Sequence, residues 1–186
     1  MPALPAACAR ARRVCPSGMA AAVTMMSRFT TERGFNESDR AAIVVLLREY
    51  WDSLGVSVSF QSFDAEVADL PGVYVPPHGQ MLFLRDPADY ALVGCVAMRP
   101  VPDVPGMCEM KRFYLRPAAR GRGLGRHLAV AVMDEARQLG YRRMCLDTLR
   151  KLEEAQTLYR SLGFLQVGTA GSDPVVVLYE RDLSLP

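Results

Sequence analysis

The spacing of apolar residues predicts a long helix in the second half of the chain. Between residues 124 and 139 these residues recur with the helical period of about 3.6, and Gly140 follows the last of them, where glycine commonly ends a helix. The periodic positions are Leu124, Leu128, Ala131, Val132, Ala136 and Leu139. A second helix is predicted over residues 152–162, ending at Gly163.

The first half of the chain predicts two further helices. Asn36 or Ser38 can cap a helix that runs to Leu54 and ends at Gly55. A shorter helix is predicted over residues 63–70. Apolar runs without the helical period predict strands. These are 25–30, 80–85, 92–98, 108–115, 142–148, 164–168 and 175–181. This order predicts an α/β fold with a mixed sheet.

The length of 186 residues predicts a single domain, which we place at 25–186. Residues 1–24 are rich in Ala, Arg and Pro and contain no acid, so we expect a disordered or non-native extension. A presequence and a later start site are the alternatives. No apolar run approaches the ~20 residues of a membrane span, so we expect no membrane partner. Five cysteines without a Cys-x-x-Cys pair predict reduced thiols in a cytoplasmic protein.

Charge is unevenly distributed along the chain. The formal net charge is +2, but the first 28 residues hold four arginines and no acid, so the remainder is close to neutral. This argues against nucleic-acid binding. One basic cluster lies inside the domain, and no acid occurs between Met110 and Met133. Such a local patch suits a small polyanion.

A glycine-rich turn, residues 120–126, joins a predicted strand to the long helix. Its sequence is Arg120, Gly121, Arg122, Gly123, Leu124, Gly125 and Arg126. A turn of this kind binds anions, because the first N–H groups of a helix have no internal partner and the helix dipole favours negative charge there. Neither Gly-Lys-Ser nor Gly-Lys-Thr follows, and Arg126 stands where a dinucleotide fingerprint needs glycine. These differences argue against a nucleotide-phosphate enzyme.

The turn and its flanks resemble the GNAT superfamily of N-acetyltransferases. Arg120, Gly123 and Gly125 fit that family's Arg-x-x-Gly-x-Gly turn for the pyrophosphate of acetyl-CoA. Residues 108–117 resemble its fourth strand, and Ala155, Tyr159 and Gly163-Phe164 resemble its Ala-x-x-x-Tyr…Gly-Phe signature. The resemblance implies a mixed, mostly antiparallel twisted sheet with splayed central strands and helices on both faces.

The resemblance also implies a reaction. Acetyl-CoA would be the cosubstrate, no metal would be needed, and an amine of a small molecule or peptide would attack the thioester directly in a ternary complex. The turn at 120–126 would hold the pyrophosphate. The backbone of Phe113, Tyr114 and Leu115 would bind the pantetheine arm and supply the oxyanion donor.

Acetyl transfer to an amine needs a general base and a proton donor for the thiolate. The resemblance gives Tyr159 the role of general acid. Glu109 and Asp147 are the two candidate bases, and of these we prefer Glu109. Leu152 departs from the family, which often carries an asparagine there to hold pantetheine. This departure keeps open a non-catalytic acyl-CoA-binding regulatory module as the alternative. The resemblance also leaves a homodimer open, and the acceptor unidentified.

Overall fold

A computed structural model describes residues 29–55, 60–170 and 175–185. Within these residues the predicted strands form one seven-stranded sheet. Their order across the sheet is β1-β2-β3-β4-β5-β7-β6. Their bounds are β1 Thr30–Arg33, β2 Gln80–Arg85, β3 Leu92–Pro100, β4 Met107–Leu115, β5 Arg143–Leu149, β6 Leu165–Ala170 and β7 Val176–Asp182. The predicted extension at residues 1–24 lies outside the described part.

Within the described residues, four α-helices connect the strands. They are α1 Arg40–Leu54, α2 Phe60–Ala68, α3 Leu124–Gln138 and α4 Glu153–Ser161. The predicted cap at Asn36 is present, but it accepts the Ser38 N–H (3.2 Å) at a short 3-10 turn, and α1 itself begins four residues later. Helix α2 begins at Phe60 rather than residue 63. The first strand begins at Thr30, and residues 25–28 of its predicted range lie outside the described part.

Helices cover both faces of the sheet, as the family resemblance implies. Alternate residues of a strand point to opposite faces, so Leu82 packs with Leu128 of α3, whereas Phe83 packs with Leu46 of α1. We call these two faces the α3 side and the α1 side. Each has its own apolar core, and together the two cores hold the sheet between its helices.

All neighbouring strands are antiparallel except β4 and β5, which run parallel. The parallel pairing is short, joining Met107–Glu109 to Arg143–Cys145. The prediction of a mostly antiparallel mixed sheet with splayed central strands is therefore confirmed. Within the described ranges, no helix combines the length and apolar character needed to cross a membrane.

Candidate active site

The centre of the sheet contains a gap between β4 and β5. Their pairing stops at Glu109 and Cys145, although both strands continue for several residues. No other described strand pairs with this edge of β4 beyond Glu109. Its backbone N–H and C=O groups are therefore open to an extended ligand chain, which can bind as an added strand.

A bulge in β4 shapes the edge of this gap. The register with β3 places Cys95 opposite Tyr114 and Ala97 opposite Lys111, so two residues of β4 face Val96 alone. One of the two, Arg112, has φ +54. The extra residue reverses the alternation of side chains.

Several contacts stabilise the bulge. The Arg112 guanidinium forms a two-pronged ion pair with Glu66 of α2, with Nε 2.7 Å from Oε1, and it lies 5.5 Å from the ring centre of Phe63. The Cys95 thiol donates to the Arg112 carbonyl at 3.1 Å. Burial raises the pKa of Cys95 to about 12, so the thiol keeps the proton that it donates. Burial alone would raise the pKa of Glu66, but the hydrogen bonds and charge of Arg112 outweigh it and lower the pKa.

A cleft of about 550 Å³ opens at the splayed end of the gap. Its walls come from the end of α1, the end of β4, the glycine-rich turn and the start of α4. Six of the predicted coenzyme-binding residues line this cleft. They are Phe113, Tyr114, Leu115, Arg120, Gly121 and Gly125. The structure thus brings the predicted pantetheine edge and part of the predicted pyrophosphate turn to one cavity.

The glycine-rich turn has the backbone that its sequence suggests. Gly121 (φ +73) and Gly123 (φ +78) are in the left-handed region, where glycine is unstrained, and Gly123 precedes the first residue of α3. The first turn of α3 contains no acidic residue. Arg120 donates to the Leu115 carbonyl at 3.0 Å, which ties the turn to β4. The N-terminal amides of α3 are therefore suited to an anion.

The remaining predicted residues of this turn contribute differently. Arg122 is exposed to solvent, and the Leu124 side chain is buried in the core, so only its backbone can meet a ligand. Arg126 donates to the Ser161 hydroxyl at 2.6 Å and so connects α3 to the end of α4. Leu152, the departure from the family pattern, lines the cleft. Its aliphatic side chain offers no hydrogen bond to a pantetheine amide.

Tyr159 lies on the α3 side of the gap and is 5% exposed. Its ring centre is 6.0 Å from that of Phe113 in the wall of the cleft. Its hydroxyl forms no hydrogen bond with any residue in the described part of the chain. Burial raises the pKa of this phenol, and Tyr50 and Asp147 act in the same direction. The hydroxyl therefore stays protonated at neutral pH and can donate a proton.

Both predicted bases lie on the α1 side, joined by a lysine that our sequence analysis assigned no role. Lys111 Nζ is 2.9 Å from Glu109 Oε1 and 2.5 Å from Asp147 Oδ1, so it bridges the gap between β4 and β5. Burial alone would lower the pKa of Lys111, but the carboxylates of Asp147 and Glu109 outweigh this effect and raise the pKa of the ammonium. Arg99 of β3 binds the other oxygen of Glu109 at 2.8 Å.

The sequence analysis missed two residues of the site, Lys111 and Tyr50, and they differ in whether a local pattern marks them. Lys111 stands two positions after Glu109 in a predicted strand, so strand alternation alone places both on one face. Tyr50 also lines the cleft, but it comes from α1, far away in the chain, and no local pattern marks it. Among the described residues, no group of three or more His, Cys, Asp or Glu is arranged to hold a metal ion.

The family model of the acetyltransferase (GNAT) family matches residues 43–164, a range that contains α1, the gap, the glycine-rich turn and α4. The chain belongs to the GNAT family. It is accordingly an N-acetyltransferase, and the GNAT resemblance drawn from the sequence is confirmed. GNAT enzymes use an acyl-CoA as the acyl donor.

Similar proteins support this assignment. An uncharacterized N-acetyltransferase of Schizosaccharomyces pombe is 46% identical over 138 residues, covering 74% of this chain and 83% of that protein. An IAA acetyltransferase of Azospirillum brasilense is 35% identical over 95 residues, covering 50% of this chain and 61% of that protein. A GNAT acetyltransferase structure from Staphylococcus aureus has a TM-score of 0.71 at 15% identity, covering 83% of this chain and 99% of that chain. This last likeness concerns the GNAT fold alone.

Proposed function

We propose that this GNAT enzyme transfers the acetyl group of acetyl-CoA to an amine of a small molecule or peptide, by direct attack in a ternary complex. One observation carries the proposal. The gap between β4 and β5 has a proton donor on one side, Tyr159, and carboxylates on the other, while the cleft at its splayed end leads to the glycine-rich turn. A thioester in the gap would then meet both kinds of group.

The coenzyme would bind along the cleft. The turn at 120–126 would hold the pyrophosphate through its free amides and arginines. The unpaired edge of β4 at Phe113, Tyr114 and Leu115 would bind the pantetheine arm and donate an N–H to the carbonyl oxygen, where negative charge develops. These assignments follow from the open backbone edge and from the position of the three residues in the cleft wall.

The chemistry requires three proton transfers. The acceptor ammonium gives a proton to a carboxylate, its lone pair then forms the C–N bond, and the C–S bond breaks. The departing thiolate takes its proton from the hydroxyl of Tyr159, and the nitrogen, positively charged after its attack, returns a proton to the Tyr159 oxygen as the amide forms. The general acid and base thus act from opposite faces of the sheet, with the reacting carbon between them.

Asp147 is the better placed of the two candidate bases, although the sequence favoured Glu109. Both oxygens of Glu109 are held by cations, Oε1 by Lys111 and Oε2 by Arg99. Among the described residues, only Oδ1 of Asp147 is engaged, and its side chain is 41% exposed against 19% for Glu109. A base needs a free lone pair that faces the amine, so we assign this role to Asp147.

Thermal unfolding with acetyl-CoA tests the binding step. A ligand at about 100 times its Kd adds about 2.7 kcal/mol of stability, because it binds the native state alone. For a chain of this size we expect Tm to rise by about 5–10 °C. ATP, which has the phosphates but no pantetheine arm, should protect much less. Equal protection by ATP, or none by acetyl-CoA, would contradict the proposal.

A non-catalytic acyl-CoA-binding regulatory module is the second candidate, and Leu152 in the cleft wall favours it. Release of the CoA thiol in the presence of amines, amino acids, polyamines and peptides separates the two functions. A module would bind acetyl-CoA and release no thiol with any acceptor.

We further propose a single domain over residues 25–186 that acts in the cytoplasm as a homodimer, without nucleic-acid or membrane partners. The dimer rests on the outer edge of the sheet, where Leu165 and Val167 of strand β6 are 72% and 59% exposed. Exposed apolar residues on an edge strand favour contact with another chain. Sedimentation velocity should give twice the chain mass of 20.5 kDa, and a monomer at all concentrations would contradict this proposal.

A further inference from the structure

The acceptor side of the gap carries a row of alternating charges. Arg99, Glu109, Lys111 and Asp147 follow one another across β3, β4 and β5, each in contact with the next at 2.5–2.9 Å. Every member of the row is accessible, with exposed side-chain fractions between 19% and 41%. The row has no net charge. An acceptor that approaches the gap from the α1 side meets these four side chains.

A second ion pair lies on the same face and is also neutral. Arg143 of β5 binds Glu180 of β7 at 2.9 Å, and strand alternation places both residues on the side of Asp147. The row and this ion pair together therefore have no surplus of negative charge to attract an acceptor with several ammonium groups. A polyamine would bring several positive charges to a surface where each carboxylate is already paired with a lysine or an arginine.

The bridging ammonium of Lys111 lies next to the carboxylate that we propose as the base. An amine that reaches Asp147 also comes close to Lys111, because these two side chains are in contact. A simple amine at this position would place its positive charge beside Lys111 without bringing a negative charge to balance it. Two of the three N–H donors of Lys111 are engaged by described residues, and the third can bind a carboxylate.

Resting on the proposed function, we infer that the acceptor is an aminocarboxylate, such as a free amino acid, and that Lys111 determines this specificity. The amine of the acceptor lies beside Asp147, and its carboxylate takes the third donor of Lys111. The two groups of the acceptor then extend the alternation of charges already present in the row. An N-terminal residue of a peptide lacks this nearby carboxylate and is disfavoured for the same reason as a simple amine.

The test compares acceptors that differ in one group. CoA-thiol release is measured with the common amino acids, with the amides of the same amino acids, and with the amines that lack the carboxyl carbon. We expect the best amino acid to exceed its amide and its amine by at least tenfold in kcat/KM. In Lys111→Met this preference should fall to near unity, chiefly through a higher KM for the amino acid.

Two variants control for structure and charge. Lys111→Arg keeps the cation and should restore most of the preference. Arg143→Met removes a cation from the same sheet face, outside the row, and should retain the wild-type preference. Melting temperatures with and without acetyl-CoA show whether each variant is folded and binds the donor.

Three outcomes would overturn the inference. The first is that amides or amines are acetylated with the same kcat/KM as the best amino acid. The second is that Lys111→Met keeps the full preference for the amino acid. The third is that the enzyme acetylates other amines but neither binds nor acetylates any aminocarboxylate. In each case stabilisation by acetyl-CoA and acetylation of an amine would leave the proposed function intact. Absence of both would instead reject the proposed function.

Discussion

We expect Tyr159→Phe to lower kcat by about a hundredfold or more, the range lost when a general acid is removed, while the Kd for CoA stays nearly unchanged. Phenylalanine keeps the ring that packs against Phe113 and Phe164, so the wall of the cleft is preserved. What is lost is the hydroxyl, which has no structural partner among the described residues. Steady-state kinetics at saturating acceptor and calorimetry with CoA measure the two quantities.

Tyr179→Phe is the matched control for this prediction. Tyr179 is also fully buried, and its ring centre lies 6.2 Å from that of Tyr159. Its hydroxyl, however, donates to Gln156 at 3.2 Å and accepts from Arg160, which makes it part of the packing of α4. The control should lower Tm and leave kcat within a few fold. A similar loss of kcat in both variants, or none in Tyr159→Phe, would remove the proposed acid role.

The second large effect is expected from Asp147→Asn. Loss of a general base should lower kcat/KM by about a hundredfold at neutral pH. The loss should shrink as pH rises, because free alkylamines have a pKa of about 10.4 and deprotonate without help in alkaline solution. The measurement is the ratio of variant to wild-type kcat/KM across pH. If Asp147 is the base, this ratio should rise between neutral and alkaline pH.

Glu109→Gln provides the comparison for Asp147→Asn. Glutamine leaves a side chain of nearly the same shape beside Arg99 and Lys111, and we expect less than a tenfold loss with no climb at high pH. If Glu109→Gln shows the larger loss and the pH-dependent recovery, Glu109 is the base, as the sequence analysis preferred. If neither variant recovers at high pH, the acceptor loses its proton to some other group.

The parts of the site that the sequence predicted well are those set by local chemistry. Helix α3 is predicted by apolar residues that recur with the helical period. The glycine-rich turn is predicted by its own glycines, which adopt the left-handed backbone conformation without strain. These two features also carried the family resemblance. The placing of Glu109 and Asp147 on one face follows from strand alternation once the parallel pairing of β4 and β5 is known.

The bulge at Arg112 could not be predicted in this way. A left-handed residue in a strand is usually glycine or asparagine, and arginine gives no such signal. The conformation depends on partners far away in the chain, chiefly Glu66 and Cys95. Tyr50 was missed for a related reason, because a helix residue reaches the cleft only through the tertiary fold. Such long-range contacts are absent from any local pattern.

The bulge also determines which side chains of β4 face the acceptor and which face the coenzyme wall. Up to Lys111, odd-numbered residues of β4 face the α1 side, whereas after Arg112 the odd-numbered Phe113 and Leu115 pack on the α3 side. In a regular strand of the same length, unbroken alternation would turn both apolar side chains toward the acceptor. The extra residue therefore lets a single strand present charged groups to one substrate and apolar rings and branches to the other.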